Sequence, residues 1–152
     1  MNKRKYEKQN VTVDIVIMTP IRKWVNILLI KRVNNPFKDM WAIPGGYLDS
    51  GETLEEAAYR ELKEETSLST KDLKNIPLKQ FKTFGDPGRD PRGRVVSVVY
   101  YALIPYSKKL IDAVEARDDA KEAKWFRISE LPEKMAFDHL QIIEEFKSRN
   151  MK

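Results

Sequence analysis

The sequence predicts an α/β domain, a mixed β-sheet flanked by helices, and three observations carry that expectation. Two long β-branched runs, Val11–Met18 and Val95–Ile104, have the composition of buried strands. A helical pattern fills residues 53 to 66, where small and apolar residues recur every three or four positions. Strands stand on both sides of that helix without regular βαβ alternation, which favours a mixed sheet over a purely parallel one.

Taken in order, the first residues carry Lys3, Arg4, Lys5 and Lys8, and residues 1–9 read as a frayed basic tail. Val11–Met18 is the first strand and Trp24–Ile30 the second. Pro20 and the pair Arg22-Lys23 turn the chain between them, so an antiparallel hairpin is expected. Asn34-Asn35-Pro36 opens a loop, and Trp41-Ala42-Ile43 is a short strand running into Pro44-Gly45-Gly46. The paired glycines allow backbone conformations, and a close ligand approach, that other residues forbid.

Thr53-x-x-Glu56 is a capping-box pattern and sets the helix start near residue 53. Leu54, Ala57, Ala58 and Leu62 form its apolar face, which leaves Glu61, Glu64 and Glu65 nearer the opposite side. Leu78–Phe84 and Val95–Ile104 are strands, the second buried on both faces; Glu122–Ile128 is another. Ser129-Glu130-Leu131-Pro132 is a turn. Asp138 caps a last helix whose Leu140, Ile143 and Phe146 form one stripe.

The whole chain, 152 residues, fits a single domain. It has no run approaching the roughly 20 apolar residues of a membrane span and no signal-peptide pattern. The absence of cysteine removes disulfides and zinc-thiolate sites and is compatible with a cytoplasmic protein. A net charge of +5, from 28 basic and 23 acidic residues, would help attract an anionic substrate or serve only solvation.

The chemistry concentrates between Gly46 and Leu68, spaced Gly46-x5-Glu52-x7-Arg60-Glu61-Leu62-x-Glu64-Glu65-x-Ser67-Leu68. Glu61, Glu64 and Glu65 stand at i, i+3 and i+4, neighbours on a helix. Like charges so close repel unless a cation sits among them. Oxygen donors without His or Cys suit Mg²⁺ or Mn²⁺. A charged solvated face would explain the glutamates alone. The fixed spacing arises by chance with a probability on the order of 10⁻⁸ per start site, which favours the metal site.

That spacing resembles the Nudix box of the Nudix hydrolase family, matched at Gly46, Glu52, Arg60, Glu61, Leu62, Glu64, Glu65 and Leu68. Ser67 departs from the family's glycine, and serine in a left-handed C-cap costs about 1 kcal/mol. Asp90–Val98, Asp118-Asp119-Ala120-x-Glu122-Ala123-x-Trp125-Phe126 and Ala136–His139 resemble the ADP-ribose pyrophosphatase branch and its regulator relatives. The resemblance implies an α/β/α sandwich, with Glu61, Glu64 and Glu65 as Mg²⁺ ligands and Arg60 holding a box glutamate in place. It implies hydrolysis of a nucleoside diphosphate linked to another moiety, foremost ADP-ribose to AMP and ribose 5-phosphate, and makes a homodimer plausible. It also places the general base in a loop before a late strand, where Asp119 leads Asp118, Glu122 and Glu115.

Arg89, Arg92 and Arg94 lie in the Gly- and Pro-rich segment 85–94 and are either phosphate contacts or partners of Asp86 and Asp90. Trp41, Tyr47 and Phe84 offer stacking faces for adenine or belong to the core. His139, in the first helical turn, is read as structural rather than as a base. Competing readings are oxidised nucleoside triphosphates, dinucleoside polyphosphates or NADH as substrate, and a non-catalytic ADP-ribose sensor. Regulators of that kind carry a further DNA-binding domain, for which no room is expected before Lys152. Nucleic acid and membrane are not expected partners.

Overall fold

The computed structural model describes residues 4–151. β1 (Asn10–Ile21) and β2 (Trp24–Arg32) form the expected hairpin, closed by Arg22-Lys23 with Ile21 opposite Trp24. Arg22 takes the left-handed conformation (φ 58°) that suits such a two-residue turn. Further strands are β3 (Trp41–Ala42), β4 (Gly45–Tyr47), β5 (Lys79–Phe84), β6 (Val95–Leu103) and β7 (Ala120–Arg127). β6 lies parallel to β1 from Asn10↔Val95 to Met18↔Leu103, and the other pairings between these strands are antiparallel. The sheet order is β3-β2-β1-β6-β5, with β4 also on β1 and β7 also on β2.

β1 shows why a helix must cover each face. Its alternate residues Val13, Ile15 and Ile17 pack in one apolar cluster with Ala57, Ala58 and Leu62 of α1 (Leu54–Thr66) and Leu110 of α2 (Lys108–Ala113). Val16 and Met18 point the other way, into a cluster with Ile142, Ile143 and Phe146 of α3 (His139–Asn150). Phe146 is fully buried, its ring 5.0 Å from Phe81 and 5.2 Å from Tyr101, which places roughly 1.5–3 kcal/mol of transfer free energy at that one side chain. The arrangement is the α/β/α sandwich with a mixed sheet.

The hydrogen-bonded register of β1 with β2 covers only Met18–Ile21 opposite Trp24–Ile27. Below that point the two strands part, and β4 pairs with Thr12–Asp14 of β1 while β3 pairs with the far end of β2. The segment Trp41–Tyr47 therefore crosses the fork from one strand to the other. The functional cleft opens there.

Several expectations are corrected. α2 was not foreseen; it has six residues, too short for apolar periodicity, and its signal is the Ser107 cap, which accepts from Leu110 N–H at 3.0 Å. β7 begins at Ala120, two positions before the expected start. Asp138 sits at the N-cap of α3 but caps nothing with its side chain, and Leu140 is 47% exposed. The buried stripe of α3 is His139, Ile142, Ile143 and Phe146. Residues 4–9 are exposed and irregular, while Lys3 lies outside the described residues.

Candidate active site

α1 starts where Thr53 Oγ1 accepts from Glu56 N–H at 3.1 Å. It ends at Ser67, which adopts the left-handed cap (φ 70°) and donates its N–H to Lys63 O at 2.9 Å. Ser67 thus holds the conformation a glycine would hold. Its hydroxyl donates to Glu115 O at 2.8 Å, a bond that glycine could not make and that offsets part of the strain.

The cation among the glutamates is Arg60. It grips Glu52 with two nitrogens at 2.6 and 2.8 Å, donates to Glu61 at 2.8 Å and Glu64 at 3.1 Å, and donates to Tyr47 O at 2.9 Å. Arg60's hydrogen bond, with that of the Asp49 N–H, pulls the Glu52 carboxyl down to about 2. Burial pushes Glu61 above the ordinary carboxylate range, against the opposing pull of Arg60. Among the described residues no three acidic groups already converge as a metal cage.

Glu65 departs from the expected side of the helix, opposite the apolar face. It is 7% exposed and turns inward, where its Oε1 accepts from Gly45 N–H at 2.7 Å. Burial pushes its carboxyl up to about 8, with Glu61 and Asp14 adding like-charge repulsion. The glycines are demanded by crowding. A Cβ on Gly45 would lie 2.2 Å from Val13 O and 2.3 Å from Asp14 Oδ1, and one on Gly46 would lie 2.6 Å from Glu61 Cδ.

A cleft of about 400 Å³ opens at the fork. Of the expected residues, Gly45, Gly46, Glu61, Glu65, Arg89, Arg92 and Asp119 line it. Glu52, Arg60 and Glu64 stand outside that lining, joined to it through the Arg60 network. Arg94 is not brought in; it borders a shallow hollow with Glu7 and Pro87. Arg89 is committed to Asp138, with bonds of 2.9 and 2.8 Å, and 4% exposed, so it braces the loop against the start of α3. That pairing explains why Asp138 is no cap.

Arg92 is both in the cleft and paired, as its alternatives allowed. Asp90 holds it at 2.7 Å, and its guanidinium lies 4.8 Å from the Tyr47 ring centroid and 5.2 Å from that of Phe137. Burial alone would raise the Asp90 carboxyl, but bonds from the Arg92 side chain and backbone hold it below the usual range. No ion pair to Asp86 forms among the described residues. Tyr47 faces the cleft, whereas Phe84 is buried in the α3-side cluster and Trp41 packs edge-on against Phe126 at 4.7 Å.

Among the base candidates only Asp119 reaches the cleft. Glu122 pairs with Lys31 at 3.5 Å. His139 is buried, and burial holds its imidazole below the usual value; its Nδ1 accepts from Ile43 N–H at 3.0 Å, a structural bond as expected.

Asp14 and Arg32 are cleft residues that escaped the sequence reading. Asp14 is 6% exposed in the middle of β1, and Ser97 Oγ donates to its Oδ2. Its signal was a carboxylate at an inward-facing position of an apolar strand. Arg32 donates Nε to Pro36 O at 2.8 Å and lies 4.9 Å from the Phe137 ring centroid. Burial and then the charge of Arg92 lower its pKa. Nothing local marked it at the end of β2.

A mixed-sheet α/β/α sandwich whose cleft joins a glutamate-bearing helix to a double-glycine turn is the architecture of a phosphate-cleaving Nudix domain. The chain belongs to the Nudix family: the NUDIX domain model matches residues 8–146. It is 46% identical over 126 residues to an ADP-ribose pyrophosphatase of Methanocaldococcus jannaschii, covering 83% of this chain and 68% of that protein. The NUDIX domain of Shewanella oneidensis NrtR, solved complexed with ADP ribose, superposes with a TM-score of 0.81 at 33% identity, over 95% of this chain and 90% of that one. A bifunctional NMN adenylyltransferase/ADP ribose pyrophosphatase from Francisella tularensis, complexed with AMP and a Mn ion, gives 0.80 at 32%, over 96% of this chain and 43% of that one.

The donor set fits a hard divalent cation. Glu61, Glu65 and Asp119 bring carboxylate oxygens to the cleft, and Glu65 is a buried carboxylate with a single N–H partner.

Proposed function

We propose that this chain hydrolyses ADP-ribose to AMP and ribose 5-phosphate, with Mg²⁺ held by Glu61, Glu64 and Glu65 and Mn²⁺ able to replace it. The observation that carries the reading is that Glu61, Glu65, Arg92 and the Gly45-Gly46 turn line one cleft. When bound, the cation offsets the diphosphate's charge and lowers the pKa of a water. Arg60 fixes Glu52 and orients Glu61 and Glu64, and the Gly45 N–H fixes Glu65. Gly45 and Gly46 let a diphosphate lie against the backbone, and Arg92, already ordered by Asp90, donates to a phosphate oxygen. Asp119 takes the proton as water adds to phosphorus and the bridging P–O bond breaks. The substrate is a small nucleotide.

A second reading, an ADP-ribose-binding sensor, draws on the engagement of both Glu61 and Glu64 by Arg60 in place of a ready metal cage. One assay separates the two: hydrolysis of ADP-ribose, NADH, an oxidised nucleoside triphosphate and a dinucleoside polyphosphate, each with Mg²⁺ and with chelator. ADP-ribose is expected to turn over fastest, and chelator to abolish it. Tight ADP-ribose binding without turnover would establish the sensor, and faster turnover of another substrate would replace ADP-ribose.

A further inference from the structure

Asp14 and Asp90 are cleft carboxylates that neither the Nudix box nor the late acidic loop supplies, and Asp90 is already paired with Arg92. A buried carboxylate is costly unless its oxygens find donors, and in Asp14 only one does. Oδ2 receives the Ser97 hydroxyl, while His139 Nε2 stands 3.7 Å from Oδ1, beyond hydrogen-bond reach. The imidazole is held in place by its other nitrogen, which accepts from Ile43 N–H at 3.0 Å. The Asp14 side chain is 9% exposed, and the residue lines the cleft.

Gly45 keeps that oxygen reachable. Any other residue at position 45 would put a Cβ 2.3 Å from Oδ1 and close the approach. The same glycine gives its N–H to Glu65, so Oδ1 sits one residue from the catalytic end of the cleft. A carboxylate only accepts, and so does a diphosphate. The part of such a ligand that suits Asp14 is therefore a donor adjoining the diphosphate. In a nucleoside diphosphate sugar the first donors next to the phosphates are ribose hydroxyls, and the base amine lies a ring further away. Arg32 and Arg92, on the same cleft, leave the anionic part of the ligand to guanidinium partners.

We propose that Asp14 is a specificity-determining residue whose Oδ1 accepts from the hydroxyls of a ribose flanking the diphosphate, selecting ribose over deoxyribose substrates. This rests on the ADP-ribose reading above. The test compares wild type and Asp14→Asn on ADP-ribose and on its two 2-deoxy analogues, one deoxygenated on the adenosine ribose and one on the distal ribose. Turnover is followed with Mg²⁺, binding by equilibrium dialysis with chelator, and folding by thermal melting.

Wild type is expected to prefer ADP-ribose over one of the analogues by on the order of tenfold or more, the scale of a hydrogen bond to a charged group. Asp14→Asn, whose amide oxygen is an uncharged and weaker acceptor, should reduce that preference. If Asp14→Asn melts early, Asp14→Ser enters the same comparison, and the wild-type preference alone already decides whether a ribose is selected. A wild type indifferent to both deoxygenations, or a variant weakened equally on all three ligands, overturns the inference even if ADP-ribose is hydrolysed. Ribose-selective binding lost in the variant, with no turnover, keeps the inference and overturns the hydrolase reading.

Discussion

Replacing Arg60 by methionine keeps the aliphatic stem and removes the charge that three glutamates share. The Arg60 side chain is 23% exposed, and those of Glu52 and Glu61 are 11% and 13% exposed. Removing one partner of a fully buried pair costs roughly 3–5 kcal/mol, whereas an exposed pair contributes about 0–1. The guanidinium retains access to water, so about 1–2 kcal/mol is expected after discounting for screening. For a domain of this size that is a fall in Tm of roughly 3–6 °C. Glu61 and Glu64 each give one oxygen to Arg60, and on the proposed reading Arg60→Met frees those oxygens for a cation. Mg²⁺ should therefore raise the variant's Tm by more than it raises wild type's. Differential scanning fluorimetry across a Mg²⁺ titration reads both effects. A variant melting within about 1 °C of wild type, with the same Mg²⁺ shift, would refute Arg60 as the counter-charge of the site.

Glu64→Gln should lower kcat by roughly a thousandfold while leaving stability within about 0.5 kcal/mol of wild type, because the side chain is 44% exposed and makes one bond, to Arg60. Near-normal turnover would remove Glu64 from the metal set. His139 gives a pH signature. Its folded pKa is depressed by burial, with Asp14 and Asp138 opposing and Arg89 and Arg32 adding, so its contribution is full above the unfolded value near 6.5 and is lost as pH falls below it. Urea titrations from pH 8 to 5 should show wild type losing stability below pH 6.5 relative to His139→Gln; parallel curves would mean the imidazole is not buried neutral.

The fold was legible wherever one element's own pattern decides its state. β1, β2, the cap at Thr53 and the end of α1 could be read because alternation, helical spacing and capping are local. Even Ser67, the irregular position, takes the left-handed cap a glycine would take. What stayed hidden depends on partners distant in sequence. Asp138 looks like a cap until Arg89, 49 residues earlier, claims its carboxylate. Glu65 reads as lying opposite the apolar face, yet it is buried and bonded to the Gly45 N–H. Arg94 reads like its neighbours, yet the loop's path leaves it outside the cleft.

The same limit explains why the box alone could not give the substrate. A helix can place glutamates at fixed spacing, but the space opposite them exists because β1 and β2 part below Met18 and Trp41–Tyr47 crosses between them. That crossing puts a strand-centre carboxylate, Asp14, beside the double glycine, and brings Arg32 from the end of β2 against Phe137 from the start of α3. None of these is within helical or strand spacing of the box. On the proposed reading the cation-holding carboxylates are thus written in one helix, while the base and the choice of what is cleaved are distributed over β1, β2, the loop after β5, the segment before β7 and the residues before α3. Substitutions in the helix should change rate for all substrates alike, and substitutions at Asp14, Arg32 or Arg92 should change the ratio between substrates.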